Sequence, residues 1–192
     1  FGMKGSATAG GMQVKEWDGQ ALNGTLSGAA RVRWAGNNWN VDGVTTARGI
    51  TAAVFAPALL SEGRAEGTGK FSMSGSEPAK LASNGHLEGN FTVHKGVLGS
   101  FDLSRAIQTG GRQAQGRTQF SEMTGQGSYD RGAVQLRNVT IGAGALNAGA
   151  SADIGQNGAL TDRIVADVRT ASNTLRATLN LGGTVKDPQV RN

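Results

Sequence analysis

Residues 146–160, which read LNAGASADIGQNGAL, carry the pattern that decides the fold. In the first part of this stretch every second residue is apolar: Leu146, Ala148, Ala150, Ala152 and Ile154. A period of two is typical of a β-strand with one apolar and one solvated face, as antiparallel sheets commonly have. Asn157-Gly158 follows, a dipeptide favoured in two-residue hairpin turns because both central positions need a positive φ. The stretch therefore predicts a strand that turns directly into an antiparallel neighbour.

The same period recurs along the chain, in residues 30–35, 39–42, 86–94 and 175–181. Further turn-favouring dipeptides are Asp18-Gly19, Asn23-Gly24, Asp42-Gly43 and Asn84-Gly85, with the weaker pairs Lys95-Gly96 and Arg131-Gly132. Hairpins join strands that are consecutive in sequence, so we expect one all-β domain over residues 1–192, built as an antiparallel meander. The apolar parity changes between Leu136 and Val139, which predicts a β-bulge near Arg137-Asn138. Bulges add twist, and we expect a strongly curved sheet, a β-groove shaped like half a barrel.

Two short segments interrupt the alternation and are predicted as helices that pack on the sheet. Residues 51–62 read TAAVFAPALLSE, where Pro57 would kink or restart a helix. Residues 100–108 read SFDLSRAIQ, where Asp102 can cap the first turn. Neither segment is long enough to be a stable helix alone.

Composition narrows the class of protein. Glycine is abundant at 31 residues, proline is rare at 3, and cysteine is absent, which excludes disulfides, thiol nucleophiles and cysteine metal sites. The net charge is +5, yet the basic residues are scattered and are not interleaved with aromatic residues, so nucleic acid is not an expected partner. No apolar stretch approaches the length of a membrane-spanning helix.

The chain offers no arrangement for catalysis, so we expect no enzyme, no catalytic or metal-binding residues and no cofactor. His86 and His94 are the only histidines, and along one extended strand they would lie more than about 20 Å apart. Glu62 and Glu66 fall in one short polar segment and do not form a glycosidase pair across a cleft.

Residues 67–107, GTGKFSMSGSEPAKLASNGHLEGNFTVHKGVLGSFDLSRAI, resemble the C-terminal region of AsmA-like proteins. That region has a strand pair with alternating glycine and apolar positions, followed by a helix that starts with Asp-Leu. The matching positions here are Gly89, Phe91, Val93, Gly96, Leu98, Asp102 and Leu103. Residues 118–160 are similar to the next block of that family, and residues 179–191 are similar to its usual ending, with Gly183, Thr184 and Pro188 in place.

The resemblance implies a non-catalytic periplasmic domain of a Gram-negative envelope protein. AsmA-like proteins, with the related TamB-type and YhdP-type proteins, are anchored in the inner membrane by an N-terminal helix, and the present chain is expected to be a fragment that lacks this anchor. Their periplasmic part is a bent β-sheet with an apolar groove, implicated in outer-membrane assembly and in phospholipid movement between the two membranes. The implied partners are phospholipid or another acyl lipid, the membrane through the missing anchor, and other envelope proteins.

Alternation supplies candidate residues for such a groove, because one parity of side chains can line a concave face. The expected lining residues are Val32, Trp34, Trp39, Val41, Phe71, Met73, Leu87, Phe91, Val93, Leu146, Ile154, Leu175, Leu179 and Leu181. The same residues could instead pack together as an ordinary core. Candidate contacts to phosphate headgroups are Arg31, Arg33, Lys70, Lys95, Arg137 and Arg176, which could equally form a solvated strand face.

A second function remains open from the sequence. A β-rich adhesin or scaffold module outside the cell could use the polar faces of the same strands to bind glycan or protein. The two predicted helices favour the lipid-binding interpretation, since such modules rarely contain helices at these places.

Overall fold

The computed structural model describes residues 1–55, 57, 59–169 and 173–191, and it shows a single antiparallel β-sheet. In this part of the chain the sheet has twelve strands: β1 (Gly2–Thr8), β2 (Gly11–Ala21), β3 (Gly24–Ala35), β4 (Asn38–Thr51), β5 (Leu60–Gly75), β6 (His86–Leu98), β7 (Thr118–Asp130), β8 (Ala133–Ala143), β9 (Leu146–Ile154), β10 (Leu160–Arg169), β11 (Thr174–Thr184) and β12 (Asp187–Arg191). Each strand pairs with its neighbours in sequence, so the spatial order is the order along the chain. The predicted all-β antiparallel meander is confirmed.

The turns between strands depend on backbone positions with positive φ. Arg131 and Gly132, at φ 47° and 93°, form the predicted turn between β7 and β8. The turn between β2 and β3 lies one residue before Asn23-Gly24, on Leu22 and Asn23.

Four of the predicted two-residue turns are wrong. Asp18-Gly19 lies inside β2, Asp42-Gly43 inside β4 and Lys95-Gly96 inside β6, and Asn84-Gly85 stands at the end of a longer connection between β5 and β6. At Gly43 a side chain has no room, because the carbonyl oxygen of Ala29 on β3 and the ring of Phe71 on β5 occupy the space that a Cβ atom would need. This glycine makes room for a neighbour and does not turn the chain.

The predicted bulge in β8 is confirmed. Leu136 pairs with Ala152 and Val139 pairs with Ala150, so β8 advances one residue more than β9 between these pairs. Asn138 takes up the extra residue with φ 51°, a left-handed conformation that asparagine tolerates better than most residues.

The expected strong curvature is wrong: the sheet is open and not strongly curled. β1 pairs only with β2 and β12 only with β11, so the described strands do not close on each other. Bulges also occur in β2, β4, β5 and β6, at different levels of the sheet. Because they do not line up from strand to strand, they twist the sheet locally without bending it along one common line.

Only one of the two predicted helices is present in the described residues. The second segment forms the helix α1 (Leu103–Gln108), and Asp102 caps it by accepting a hydrogen bond from the backbone N–H of Arg105 at 2.9 Å. The first prediction is wrong, because residues 52–54 form a single 3₁₀ turn and β5 already begins at Leu60. Val54 and Phe55 are more than half exposed, so this turn buries too little apolar surface to support a longer helix.

The start of α1 is fixed to the sheet by Thr118, the first residue of β7 and the one buried polar residue in the described chain. Its Oγ1 donates to the carbonyl of Phe101 at 2.7 Å and accepts from the N–H of Leu103 at 2.9 Å. Since both groups would otherwise be buried without a partner, this pair of hydrogen bonds sets where the helix begins. Leu103 and Ala106 are then fully buried against the sheet.

Candidate functional site

The ladder register divides the side chains of the sheet into one apolar and one polar face. Partners across antiparallel strands project to the same side, and the pairs run continuously from β2 to β11. All fourteen predicted lining residues belong to the apolar face. The six basic candidates, apart from Lys95 at an irregular position with φ 51°, belong to the polar face.

The C-terminal part of the apolar face is covered by the chain itself. Helix α1 and the residues on either side of it pack over β6–β11 and enclose a buried cluster that includes Leu103 and Ile107. Three predicted lining residues lie in this cluster and are buried: Val93, Leu146 and Leu179. Phe91 and Leu181 are partly buried against its margin. The three buried residues therefore pack as core residues, the alternative that the sequence left open.

The N-terminal part of the apolar face is not covered by a second sheet in the described structure. Seven predicted lining residues lie there outside the buried cluster and form what we term the apolar patch: Val32, Trp34, Trp39, Val41, Phe71, Met73 and Leu87. Six are half-buried, and Leu87 is 39% exposed. The remaining two, Ile154 and Leu175, lie outside both groups.

Direct strand pairing makes the apolar patch continuous. Val41 pairs with Val32 on one side and with Met73 on the other, and Phe71 pairs with Leu87. Trp34 pairs with Trp39, and their ring centroids lie 5.4 Å apart at an interplanar angle of 40°. Large side chains thus follow one another across β3–β6 in two neighbouring pairing rows, which meet on β5 at Phe71 and Met73.

Sequence reasoning missed further members of the same surface. Met12 pairs with Val32, and Tyr129 pairs with both Leu87 and Val134, so that all of them belong to the apolar face. Met12 shares its parity with Val14, which is a usable signal, whereas a single tyrosine among polar residues gives none.

On the polar face, three of the predicted basic residues form ion pairs within the chain. Arg33 Nη2 lies 3.0 Å from Asp42 Oδ1, and Arg137 Nη2 lies 2.6 Å from Asp153 Oδ1. Arg176 donates to Asp167 through Nε at 2.7 Å and through Nη2 at 3.0 Å. Arg31, Lys70 and Lys95 are exposed. None of the ion-paired residues lies on the face that carries the apolar patch.

The pair of Asp167 and Arg176 predicts a titration that can be measured. Hydrogen bonding from Arg176 holds the pKa of Asp167 below its ordinary value, and the charges of Arg176 and Arg169 act in the same direction. The stabilisation is therefore present above the ordinary carboxyl pKa and is lost as the pH falls through the lowered one. We expect Arg176→Gln to raise the Asp167 pKa in a carbon-detected NMR titration. An unchanged midpoint would contradict this, and Arg31→Gln, on β3, serves as the control.

The two histidines also lie on the polar face, and each stands beside carboxylates. His94 Nε2 lies 3.1 Å from Glu66 Oε1 and His94 Nδ1 lies 3.7 Å from Glu122 Oε2, while His86 lies 3.8 Å from Glu88. Within the described ranges no three His, Cys, Asp or Glu side chains are arranged to hold a metal ion. No helix in the same ranges is both long and apolar enough to cross a membrane.

Comparison with known proteins adds no family to these observations. No protein-family model, no curated protein and no solved structure matches the chain. The functional argument therefore rests on the two faces of the sheet.

Proposed function

We propose that this chain is a non-catalytic periplasmic domain that binds acyl lipid on its apolar patch. Its place would be in outer-membrane assembly and in phospholipid transport between the envelope membranes, the role implied by the resemblance to AsmA-like proteins. By the same resemblance, the full-length protein would be anchored in the inner membrane. The observation that carries the proposal is a continuous surface of large apolar side chains that remain in contact with solvent beside the buried cluster.

The separation between patch and core supports this function over a purely structural role. Leu103, Leu160, Leu179 and Ile50 are fully buried, so the domain has well-packed positions elsewhere. The patch residues are large and apolar, yet they retain contact with solvent. Contiguous apolar surface of this kind is typical of sites for lipid, membrane or protein binding.

The energy available on such a surface suits an acyl chain. Moving one methylene out of water contributes about 0.8 kcal/mol. A chain of about a dozen methylenes lying along the apolar patch would gain on the order of 10 kcal/mol before the costs of ordering are subtracted. Contacts of this type are not directional, so a lipid could slide along the apolar patch without breaking specific bonds.

The test compares aspartate substitutions on the two faces of the sheet. Val41 lies in the apolar patch, whereas Val44 is 48% exposed on the polar face of β4. We expect wild-type protein to bind cis-parinaric acid, a fluorescent fatty acid, and Val41→Asp combined with Leu87→Asp to weaken this binding at least tenfold. Val44→Asp should bind as the wild type does. Circular dichroism should show that all variants retain the β-sheet.

Mass spectrometry of organic extracts from the purified wild-type domain provides an independent measurement. We expect phospholipid in these extracts. Lipid-free extracts together with no probe binding by the wild type would overturn the proposal, as would equal weakening by Val44→Asp.

A further inference from the structure

The polar face contains a depression that the lipid proposal does not use. It has a volume of about 700 Å³ and crosses five strands, β4–β8. Two rows of polar side chains line it. Thr46, Thr68, Asn90 and Gln126 pair in sequence across β4–β7, and Lys70, Glu88, Ser128 and Gln135 pair across β5–β8. Neighbouring members of a row are therefore spaced by the strand separation of about 4.8 Å.

Most of these side chains have unused hydrogen-bonding capacity. In the described structure Thr46, Thr68, Asn90, Ser128 and Gln135 make no side-chain hydrogen bond. Gln126 accepts one from Asn138 at 3.1 Å through its carbonyl oxygen, which leaves its two N–H donors for a ligand. Hydroxyl and amide groups both donate and accept. The depression thus presents a mixed array of donors and acceptors, and Val44 is the one large apolar side chain in its lining.

The charge of the lining favours an uncharged ligand. Lys70 and Arg137 contribute two positive charges, and Glu88 contributes one negative charge. Arg137 is held by Asp153 at 2.6 Å and by the carbonyls of Leu136 and Ala152 at 2.8 Å and 3.2 Å, so its charge is already matched. With Asp153 included the formal charges sum to zero. A phosphate group or a polyanion would find no excess of positive charge here.

We infer that the depression binds a neutral oligosaccharide, extended across the strands. Sugar hydroxyls are donors and acceptors at once, like the amide and hydroxyl groups that line the site. The sugars of an extended chain follow each other at a spacing comparable to that of the strands, so successive sugars can meet successive side chains of one row. The inference goes beyond the proposed function, because this site lies on the face opposite the apolar patch.

The experiment titrates isotope-labelled protein with maltohexaose, cellohexaose, chitohexaose and mannohexaose and follows backbone amide signals. We expect at least one of these sugars to give saturable shifts at Asn90, Gln126 and Gln135.

Losing one hydrogen bond of ordinary strength weakens binding by up to roughly tenfold. Asn90→Ala combined with Gln135→Ala removes two such groups and should therefore lower the affinity by roughly five- to a hundredfold. Asn180→Ala is the matched control, because Asn180 is exposed on the same face in β11 and should have no effect.

Several results would overturn the inference. One is that none of the four sugars shifts these amides; another is that Asn180→Ala weakens binding as much as the double variant does. A third is that tripolyphosphate shifts the same amides more strongly than any sugar, which would assign the depression to anions. The double variant should still bind cis-parinaric acid, so that a failure here is distinct from a failure of the lipid proposal.

Discussion

Leu179→Asp is expected to abolish cooperative unfolding or to lower the free energy of unfolding by more than about 4 kcal/mol. Leu179 is fully buried in β11, where it pairs with the buried Ile164. A carboxylate placed there loses its water and gains no partner, which costs several kcal/mol whether it stays charged or takes up a proton. Because small domains are stable by about 5–15 kcal/mol in total, one such change is severe.

Leu175→Asp is the matched control for this prediction. Leu175 lies on the same strand and the same face but is 39% exposed, so its aspartate can remain in water. We expect a change within about 1 kcal/mol, measured by urea unfolding followed by circular dichroism. If both variants unfold at the same urea concentration as the wild type, the buried cluster beneath α1 is not the core of the domain.

Gly96→Ala is expected to destabilise the protein by about 1–3 kcal/mol, although it adds a single methyl group. The new Cβ atom would lie 2.7 Å and 2.8 Å from Cε2 and Cε1 of Phe120, well inside van der Waals contact. Phe120 is only 4% exposed and is packed in the buried cluster, so its ring has no free space to enter. The strain must then be taken up by the backbone or by the surrounding core.

Two comparisons isolate this effect in urea unfolding. Gly96→Ala combined with Phe120→Leu should be less destabilised than the sum of the two single variants, because the smaller side chain gives the methyl group room. Gly142→Ala in β8 should be nearly neutral or slightly stabilising, since its nearest neighbours are 3.8 Å and 3.9 Å away. Equal destabilisation by Gly96→Ala and Gly142→Ala would show that the loss comes from the glycine backbone and not from the ring.

The sequence predicted best those features that depend on neighbouring residues. Alternation placed residues 146–154 in a strand, and Asp102 caps α1 as its position before Leu103 suggests. The bulge near Asn138 could be predicted because a change of parity within one strand requires an extra residue. These signals depend on local periodicity and hydrogen bonding, which are properties of a short segment.

Features that depend on distant residues could not be predicted in this way. Gly43 lies in a strand between Ala30 and Phe71, and the close approach of both neighbouring strands to it cannot be seen in the dipeptide Asp42-Gly43. The curvature of the sheet likewise depends on whether the bulges of different strands lie at the same level. The sequence of one strand can indicate its own bulge but not its level relative to the bulges of the other strands.

For the candidate site, parity correctly assigns side chains to a face but cannot say what covers that face. Leu179 and Leu87 share the apolar face, yet α1 packs beside the first and leaves the second partly in solvent. The polar depression was missed because its side chains come from five strands, and no single strand has a distinctive motif.

The simple order of the strands has a mechanical consequence. In such a sheet each strand is stabilised only by the strands next to it, as each repeat is in a repeat protein. The free energy of local unfolding can therefore differ from one end of the sheet to the other. The large buried residues concentrate in the half that carries α1, whereas β1–β4 contribute only Val14 and Ile50 as buried strand residues. Local unfolding should therefore start at the N-terminal edge. The surface proposed for lipid then lies on the half of the sheet that unfolds more readily, while the half that carries α1 stays folded.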